Sequence, residues 1–230
     1  MKNIFQFILI FILLASCGQV DEVYVRFDSS QPSSKKSLSD FNKKIVGEYE
    51  NLQNPRETLV ITENQILKKR IWKFSQNRHE LELELDSNAK LDINDDSQLT
   101  DFFENNNYTI SIYGDSLVME TTFVDTVFSI SESEVLKKTK GSYFLNFQKG
   151  ENKWEVMKLE LKQDSIFVGA ISPADTLLQF DFVVKTETIE IDSSTTTEYL
   201  VNPKNREFKR LLKQNTFENT KCYIRIKNGW

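Results

Sequence analysis

A strand–turn–strand pattern that occurs three times is the feature that most limits how this chain can fold. Residues 59–66, 110–117 and 159–166 each begin with two apolar residues that are separated by a single residue. Two further residues follow, then an Asn or Asp with a second polar residue, and finally another apolar residue. Strand side chains alternate between two faces, and Asn and Asp suit tight turns, so each copy predicts a β-hairpin. Residues 125–128 and 175–178 are predicted to form equivalent turns. Hairpins in series predict a meander.

Other segments show the two-residue period of a half-buried strand. Leu and Glu alternate over residues 80–85, and apolar residues alternate over residues 180–184. A final strand is predicted around residues 223–226. Between the early and late strands, residues 87–107 predict a polar loop with one helical turn around residues 99–103.

A single long helix is predicted near residues 203–213. Asn202 can cap its N-terminus, and Pro203 suits its first turn. Its apolar stripe is formed by Phe208, Leu211 and Leu212. The predicted fold class is therefore all-β, an antiparallel meander with one C-terminal helix.

The chain also contains an internal repeat. Residues 37–49 and 131–143 share a Ser, an acidic residue, a Lys pair, a Gly and a Tyr at one constant offset. These matches in one register predict two related copies, a first β-repeat over residues 37–130 and a second over residues 131–230. In each copy Ser-x-x-Asp/Glu predicts a short helical turn, after which the Gly leads into a strand that carries the Tyr.

The start of the first repeat bears on how the sheet closes. Gly47-x-Tyr49, after the predicted helical turn, is similar to the opening of lipocalin-like barrels, a resemblance confined to residues 37–49. The resemblance implies that both copies close into a single barrel. The strand pattern itself leaves two packed sheets open as the alternative.

The N-terminal residues have the pattern of an export signal. Lys2 precedes an apolar run over residues 4–14. That run is far shorter than the roughly 20 residues that a transmembrane helix needs, so residues 1–16 are predicted to be a signal peptide. The run ends in Leu14-Ala15-Ser16-Cys17.

This ending resembles the lipobox of bacterial lipoproteins. The resemblance implies that the signal is removed before Cys17, and that Cys17 then carries diacylglycerol and an acyl chain such as palmitate on its new amino end. Gly18 in place of Asp implies sorting to the outer membrane, on its periplasmic or its cell-surface face. The chain as a whole resembles uncharacterised β-rich outer-membrane lipoproteins of Bacteroidota-like bacteria. That resemblance implies a location in the cell, and it implies no activity.

The segment after the anchor is predicted to be a tether. Its small polar residues indicate that residues 17–36 form the lipidated Cys and a flexible link to the β-domain. Within it, the alternation over residues 23–27 fits a short strand or a membrane-proximal segment, and we favour the second. Cys222 has no intramolecular partner once Cys17 is lipidated, and it is expected to be a buried core thiol.

Composition excludes several classes of function. The net charge of −5 argues against nucleic-acid binding, which needs a clustered basic surface. One His and two Cys are too few for a His₃ or Cys₄ zinc site. The sequence contains no nucleophile elbow, phosphate loop or dinucleotide-binding motif. We therefore expect no catalytic residue, no metal and no cofactor, and we expect that the chain is not an enzyme.

Two acidic clusters are interpreted as ordinary structural features rather than as functional sites. On a strand, Glu80, Glu82 and Glu84 would be spaced by about 7 Å, which is within the range for paired catalytic carboxylates. Alternating Leu and Glu is nevertheless the ordinary pattern of a half-buried strand, and His79 is expected to be exposed at its end. The acidic residues of 92–96 predict a solvated loop rather than a calcium site.

Two functions from different classes follow from these features. The first is a lipid-anchored β-module that binds a small ligand, and the alternative is an accessory or interaction subunit of an outer-membrane complex. The expected partners are the membrane, through the acyl chains on Cys17, and a small ligand or an outer-membrane protein. An interior cavity lined by aromatic residues would favour the first function, and an exposed apolar patch would favour the second.

Overall fold

The computed structural model describes residues 22–84, 91–171, 183–191 and 194–226. The strands are Glu22–Phe27 (β1), Gly47–Asn51 (β2), Glu57–Ile61 (β3), Gln65–Asn77 (β4), Thr109–Tyr113 (β5), Ser116–Ser129 (β6), Glu134–Thr139 (β7), Ser142–Gly150 (β8), Lys153–Lys162 (β9), Ser165–Ile171 (β10), Val183–Ile191 (β11), Ser194–Val201 (β12) and Phe217–Arg225 (β13). The helices are Arg78–Glu84 (α1), Asp96–Asn105 (α2) and Asn205–Lys213 (α3). The predicted all-β class with a C-terminal helix is confirmed.

The described strands form one mixed sheet that does not close. Its order is β11-β12-β1-β9-β10-β13-β2-β3-β4-β6-β5, and β7 and β8 branch from β9. The pairing of β1 with β12 is parallel, and the other pairings are antiparallel. Among the described residues, the two outer strands β11 and β5 have no pairing with each other. The sheet is therefore open, and the closed barrel, which was one of the two expected arrangements, is not formed by the described strands.

The three hairpins predicted from the repeated pattern are confirmed as β3–β4, β5–β6 and β9–β10. The turn residues Gly114 and Gln163 have φ values of 60° and 55°, which lie in the left-handed region. The turn predicted at 125–128 is wrong, because these residues lie inside β6. Their register against β4 shifts at Ile66 and Leu67, so an irregularity in the ladder takes the place of a turn. Residues 175–178 lie outside the described residues.

The strand predicted over residues 80–85 is wrong, because the chain forms helix α1 there. The amide of Glu80 donates to Asn77 Oδ1 at 2.7 Å, and the amide of Asn77 donates to Glu80 Oε2 at 3.2 Å. This reciprocal pair is a capping box, which starts a helix regardless of the Leu–Glu alternation that follows. Leu81 is buried, and Leu83 is exposed. The helical turn predicted around residues 99–103 is part of the longer helix α2.

The helical turn predicted at the start of each repeat is wrong. In the first repeat, residues 38–46 form turns and an isolated bridge, without a helix. In the second, Lys137 and Lys138 lie in strand β7. The Ser131 hydroxyl accepts the Glu134 amide at 3.1 Å, so the capping contact forms but leads into a strand. The following Tyr49 and Tyr143 lie on strands, as predicted, and the structure buries both in the central core.

The predicted tether has fixed contacts over part of its length. Residues 22–27 form β1, which corrects our preference for a membrane-proximal segment. Gln31 is fully buried, and its backbone exchanges hydrogen bonds of 2.5 and 3.0 Å with the Asn146 side chain. The ammonium of Lys137 donates to the Ser30 carbonyl at 2.8 Å, and burial lowers the pKa of Lys137. These contacts hold the segment against β7 and β8.

The buried side chains form three clusters. The central core includes Tyr49, Phe128, Tyr143, Leu145 and Tyr223. The helix core includes Phe27, Phe144, Val156, Phe208 and Phe217. The distal core includes Leu81, Leu99, Phe103, Leu117 and Met119. Strand β8 contributes to both of the first two cores, so both of its faces are buried.

The C-terminal elements differ from prediction in their details. Helix α3 begins at Asn205, so Asn202 is not its cap, and Glu207 accepts the backbone amide of Lys204 at 2.6 Å. In β13, Tyr223 is the buried residue, whereas Cys222 is half-buried on the other face. The expected core thiol is therefore wrong, because alternation along the strand places the core face one residue further on.

Candidate functional site

The most unusual surface lies in the middle of the long hairpin formed by β4 and β6. These strands pair from Gln65↔Ser129 to Asn77↔Ser116. One end of the pair contributes to the central core and the other end to the distal core. The segment between the two cores, which comprises residues 70–74 of β4 and 121–125 of β6, is here called the ribbon.

Large apolar side chains are exposed on both faces of the ribbon. Trp72 is 62% exposed and Phe123 is 47% exposed, and their rings meet edge to face with centroids 6.1 Å apart. Ile71 and Val124 are exposed on the opposite face, because successive side chains alternate. Single exposed apolar residues are common on protein surfaces, but a contiguous group indicates an interaction site.

The edges of the ribbon are also open. Strand β3 pairs with β4 only as far as Arg70, and the Ile71 amide then donates to the Arg56 carbonyl at 2.8 Å. Strand β5 pairs with β6 only over Ser116–Glu120. Between these limits, the pairings among the described strands leave the ribbon two-stranded. A two-stranded segment with open edges offers backbone donors and acceptors to a further strand.

Charged residues surround the aromatic pair. Arg70 pairs with Asp125, and Lys73 lies 3.9 Å from Glu120. Exposed ion pairs of this kind contribute about 0–1 kcal/mol, so they form a polar rim rather than a structural clamp. A shallow groove of about 270 Å³ runs beside Trp72. An apolar centre with a polar rim is the usual anatomy of a protein–protein interface.

A second feature is a small, partly open cavity lined by side chains of the central core. Its volume is about 150 Å³, and its apolar lining includes Leu59, Val127, Leu145, Met157 and Val168. Lys68, Thr220, Lys221 and Tyr223 supply its polar groups. Binding sites for drug-sized ligands occupy about 300–1,000 Å³, so this cavity suits only a much smaller apolar molecule.

A buried carboxylate, that of Glu57, contacts two residues of the cavity lining, Lys221 and Tyr223. Glu57 Oε1 accepts hydrogen bonds from the Tyr223 hydroxyl at 2.6 Å, Lys221 Nζ at 3.0 Å and Asn51 Nδ2 at 3.0 Å. Burial alone would raise the pKa of Glu57, but these three donors more than offset it and lower that pKa to about 2. Burial and the bond to Glu57 raise the pKa of Tyr223.

The comparisons with known proteins add no relative. No protein-family model, curated protein or solved structure matches the chain. The candidate sites therefore depend on geometry and chemistry alone.

The structure reports on some of the residues considered in the sequence. Cys17, the predicted lipidation site, lies outside the described residues. His79 is exposed on α1 and lies 3.8 Å from Glu82. Asp95 caps α2 by accepting the amides of Ser97 and Gln98, and these bonds lower its pKa.

Two features are absent from the described part of the chain. No group of three His, Cys, Asp or Glu side chains there is placed to hold a metal ion. No helix there is long and apolar enough to cross a membrane.

The sequence did not reveal the ribbon as a surface. Alternation along a strand does not show whether Trp72 lies in a core or between two cores. The available signal was length, since β4 and β6 have 13 and 14 residues, and most strands are about 5–6 residues long. Strands of that length extend beyond one core, which leaves a bare segment between two cores.

Proposed function

We propose that the chain is an outer-membrane lipoprotein, anchored through acyl chains on Cys17, whose β-domain docks a partner protein through the ribbon. The observation that carries this proposal is the exposed pair of Trp72 and Phe123. Trp is the residue most enriched among those that dominate binding energy in protein interfaces. Leaving it in water costs hydrophobic free energy that a partner would recover by covering it.

The open edges of the ribbon indicate how such a partner would bind. An extended peptide segment can add to an open strand edge through backbone hydrogen bonds, while side-chain contacts supply specificity. On the ribbon, Trp72 and Phe123 would provide these contacts on one face, and the surrounding ion pairs would form the rim. This mode of docking involves no catalytic step.

A photo-cross-linking experiment tests the docking surface. The protein carries benzoylphenylalanine in place of Phe123 and is irradiated in its native membranes. We expect one cross-linked species of defined mass, because a docked partner holds the ribbon. The matched control carries the same group in place of Tyr113, which is 69% exposed at the tip of the β5–β6 hairpin. Equal cross-linking at both positions, or none at Phe123, would contradict the proposal.

Substitution then measures the contribution of the aromatic pair. Trp72→Ala is expected to weaken recovery of the cross-linked partner roughly thirtyfold, which corresponds to about 2 kcal/mol for a central interface residue. Tyr113→Ala is expected to leave recovery unchanged. Both side chains are exposed, so neither variant loses a buried core contact.

The anchor is tested by replacing Cys17. We expect Cys17→Ser to move the protein from the membrane pellet to the soluble fraction, because two or more acyl chains hold a protein firmly on a bilayer. Cys222→Ser is the matched control, since it removes the other thiol and leaves the anchor intact. Continued sedimentation of Cys17→Ser after its signal peptide has been removed would defeat the lipoprotein assignment.

The cavity supports ligand binding as a second candidate function. Its apolar lining and the Lys68 ammonium group suit a small apolar molecule with an anionic end. Native mass spectrometry of the purified protein tests this candidate. A bound molecule that disappears in Val168→Phe, which fills the cavity, would support it, and an empty wild-type protein would count against it.

A further inference from the structure

A cleft outside the ribbon and the central core concentrates positive charge on an acidic protein. It lies between helix α3 and the turn that joins β7 to β8, and its volume is about 740 Å³. Its lining consists of Lys140, Arg206, Glu207, Lys209, Arg210 and Lys213. Five of these six residues are cationic, although the chain as a whole has a net charge of −5.

Four of the five cations of this cleft have no acidic partner among the described residues. Lys140, Arg206, Lys209 and Lys213 are exposed and form no ion pair with the part of the chain that the structure describes. The one acidic residue, Glu207, already accepts the backbone amide of Lys204. Like charges held together in this way repel one another, so an anion that enters the cleft relieves that repulsion.

The positive surface continues into a neighbouring cleft. That second cleft has a volume of about 530 Å³ and shares Lys140 and Lys213 with the first. It also contains Lys158 and Lys162, which lie 2.8 and 3.5 Å from the same carboxylate, that of Glu160. Glu218 also lines this cleft, so its four lysines face two carboxylates and its net charge of +2 equals that of the two lysines that it shares with the first cleft.

The geometry of the β7–β8 turn does not explain why a Lys occupies position 140. Lys140 and Gly141 have φ values of 48° and 84° and join two strands that pair at Thr139↔Ser142. A two-residue hairpin turn with positive φ at both positions prefers Asn-Gly. Lys is a poorer choice at the first position, and its side chain adds a cation to the cleft.

We propose that this cleft binds a phosphate group of an anionic ligand. Arg206 offers planar guanidinium donors that match phosphate oxygens, and the lysines add point charges. A phosphate monoester carries nearly two negative charges at neutral pH, which suits a multiply cationic site better than a single carboxylate does. A volume of about 740 Å³ also falls within the range of small-molecule sites.

Topology favours a soluble source for that phosphate. Strand β1 runs parallel to β12 from Glu22↔Thr196 to Phe27↔Val201, and α3 follows β12 after three residues. Phe27 at the end of β1 contacts Phe208 of α3, so the cleft lies toward the Phe27 end of that strand. The proposed anchor enters at the Glu22 end, away from the cleft. This inference is independent of the proposed docking through the ribbon.

Calorimetric titration with pyrophosphate at constant ionic strength tests the cleft. The test variant combines Lys140→Asn, which suits the turn, with Lys209→Gln on the exposed face of α3. We expect wild-type protein to bind pyrophosphate and the test variant to bind at least about tenfold more weakly, because two of the unpaired cations are lost. The matched control, Lys43→Gln with Lys44→Gln, removes two exposed lysines that line neither cleft and is expected to leave affinity unchanged.

A second titration distinguishes the two sources of phosphate. Soluble dihexanoylphosphatidylglycerol replaces pyrophosphate, with dihexanoylphosphatidylcholine as its zwitterionic control. Preferential binding of the anionic lipid through the same lysines would support the site and assign it to a headgroup, and tighter pyrophosphate binding would assign it to a soluble ligand. Absence of binding by both anions, or equal weakening in the control variant, would overturn the proposal. Matched circular dichroism spectra establish that the variants are folded.

Discussion

Replacing Phe144 with Ala is expected to lower the free energy of unfolding by about 3–5 kcal/mol, because it empties the centre of the helix core. The Phe144 side chain is fully buried. Its ring centroid lies 5.3 Å from that of Phe208 and 5.8 Å from that of Phe217, both in edge-to-face contact. Truncation removes both contacts and leaves a cavity that β8 cannot fill, since its opposite face packs in the central core. Urea denaturation of both proteins measures the loss.

The control for this prediction is Leu83→Ala on helix α1. Leu83 is 73% exposed, and its truncation is expected to change the unfolding free energy by less than about 0.5 kcal/mol. A loss below about 1 kcal/mol in Phe144→Ala would mean that the helix core is not closely packed. It would then be wrong to treat β8 as the strand that joins two cores.

Local sequence signals predicted those parts of the fold that depend on neighbouring residues. The hairpin β5–β6 follows from alternation over residues 110–117 and a turn at Gly114, and its partners are only a few residues apart. Helix α1 was missed although its signal is equally local. The box formed by Asn77 and Glu80 starts the helix, and six residues of alternating Leu and Glu give too short a pattern to outweigh it.

Features that depend on distant partners were not predictable in the same way. Ser30 and Gln31 belong to a polar segment that reads as a linker, and their partners Lys137 and Asn146 lie more than 100 residues away in sequence. Asn146 lies in β8, and its side-chain amide donates a hydrogen bond to the Gln31 carbonyl and accepts one from the Gln31 backbone amide. These two hydrogen bonds hold the segment in place. No pattern along the chain indicates such a pairing.

The candidate surfaces were hidden for a related reason. Alternation over residues 70–76 is the same whether a strand lies in a core or between two cores, so the exposure of Trp72 depends on where neighbouring strands end. The basic cleft needs Lys140 to lie beside α3, which packs on the sheet through Phe208 and Leu211. The residue types of each surface are visible along the chain, but only the fold brings those residues together.

The stability of the protein is expected to fall in acid because of Glu57. The pKa of this carboxyl is about 2 in the folded protein and about 4.5 in a free chain. A lowered folded pKa stabilises the native state fully above pH 4.5, and this contribution is lost as the pH falls towards 2. The size of the shift corresponds to roughly 3 kcal/mol. Urea denaturation at a series of pH values between 7 and 2 measures the decline.

Substitution assigns that decline to one residue. Glu57→Gln is expected to be roughly 3 kcal/mol less stable than wild type at pH 7 and to approach it at low pH, because a protonated Glu57 and a Gln are both uncharged. Glu50→Gln, on the exposed face of the neighbouring strand β2, is the control and is expected to follow the wild-type curve. Parallel curves for wild type and Glu57→Gln would show that the contacts with Tyr223, Lys221 and Asn51 do not depend on charge. The acid sensitivity would then have to arise from other carboxylates, such as Glu160, whose pKa is also lowered. Burial alone would raise the pKa of Glu160, but the neighbouring Lys158 and Lys162 outweigh the effect of burial.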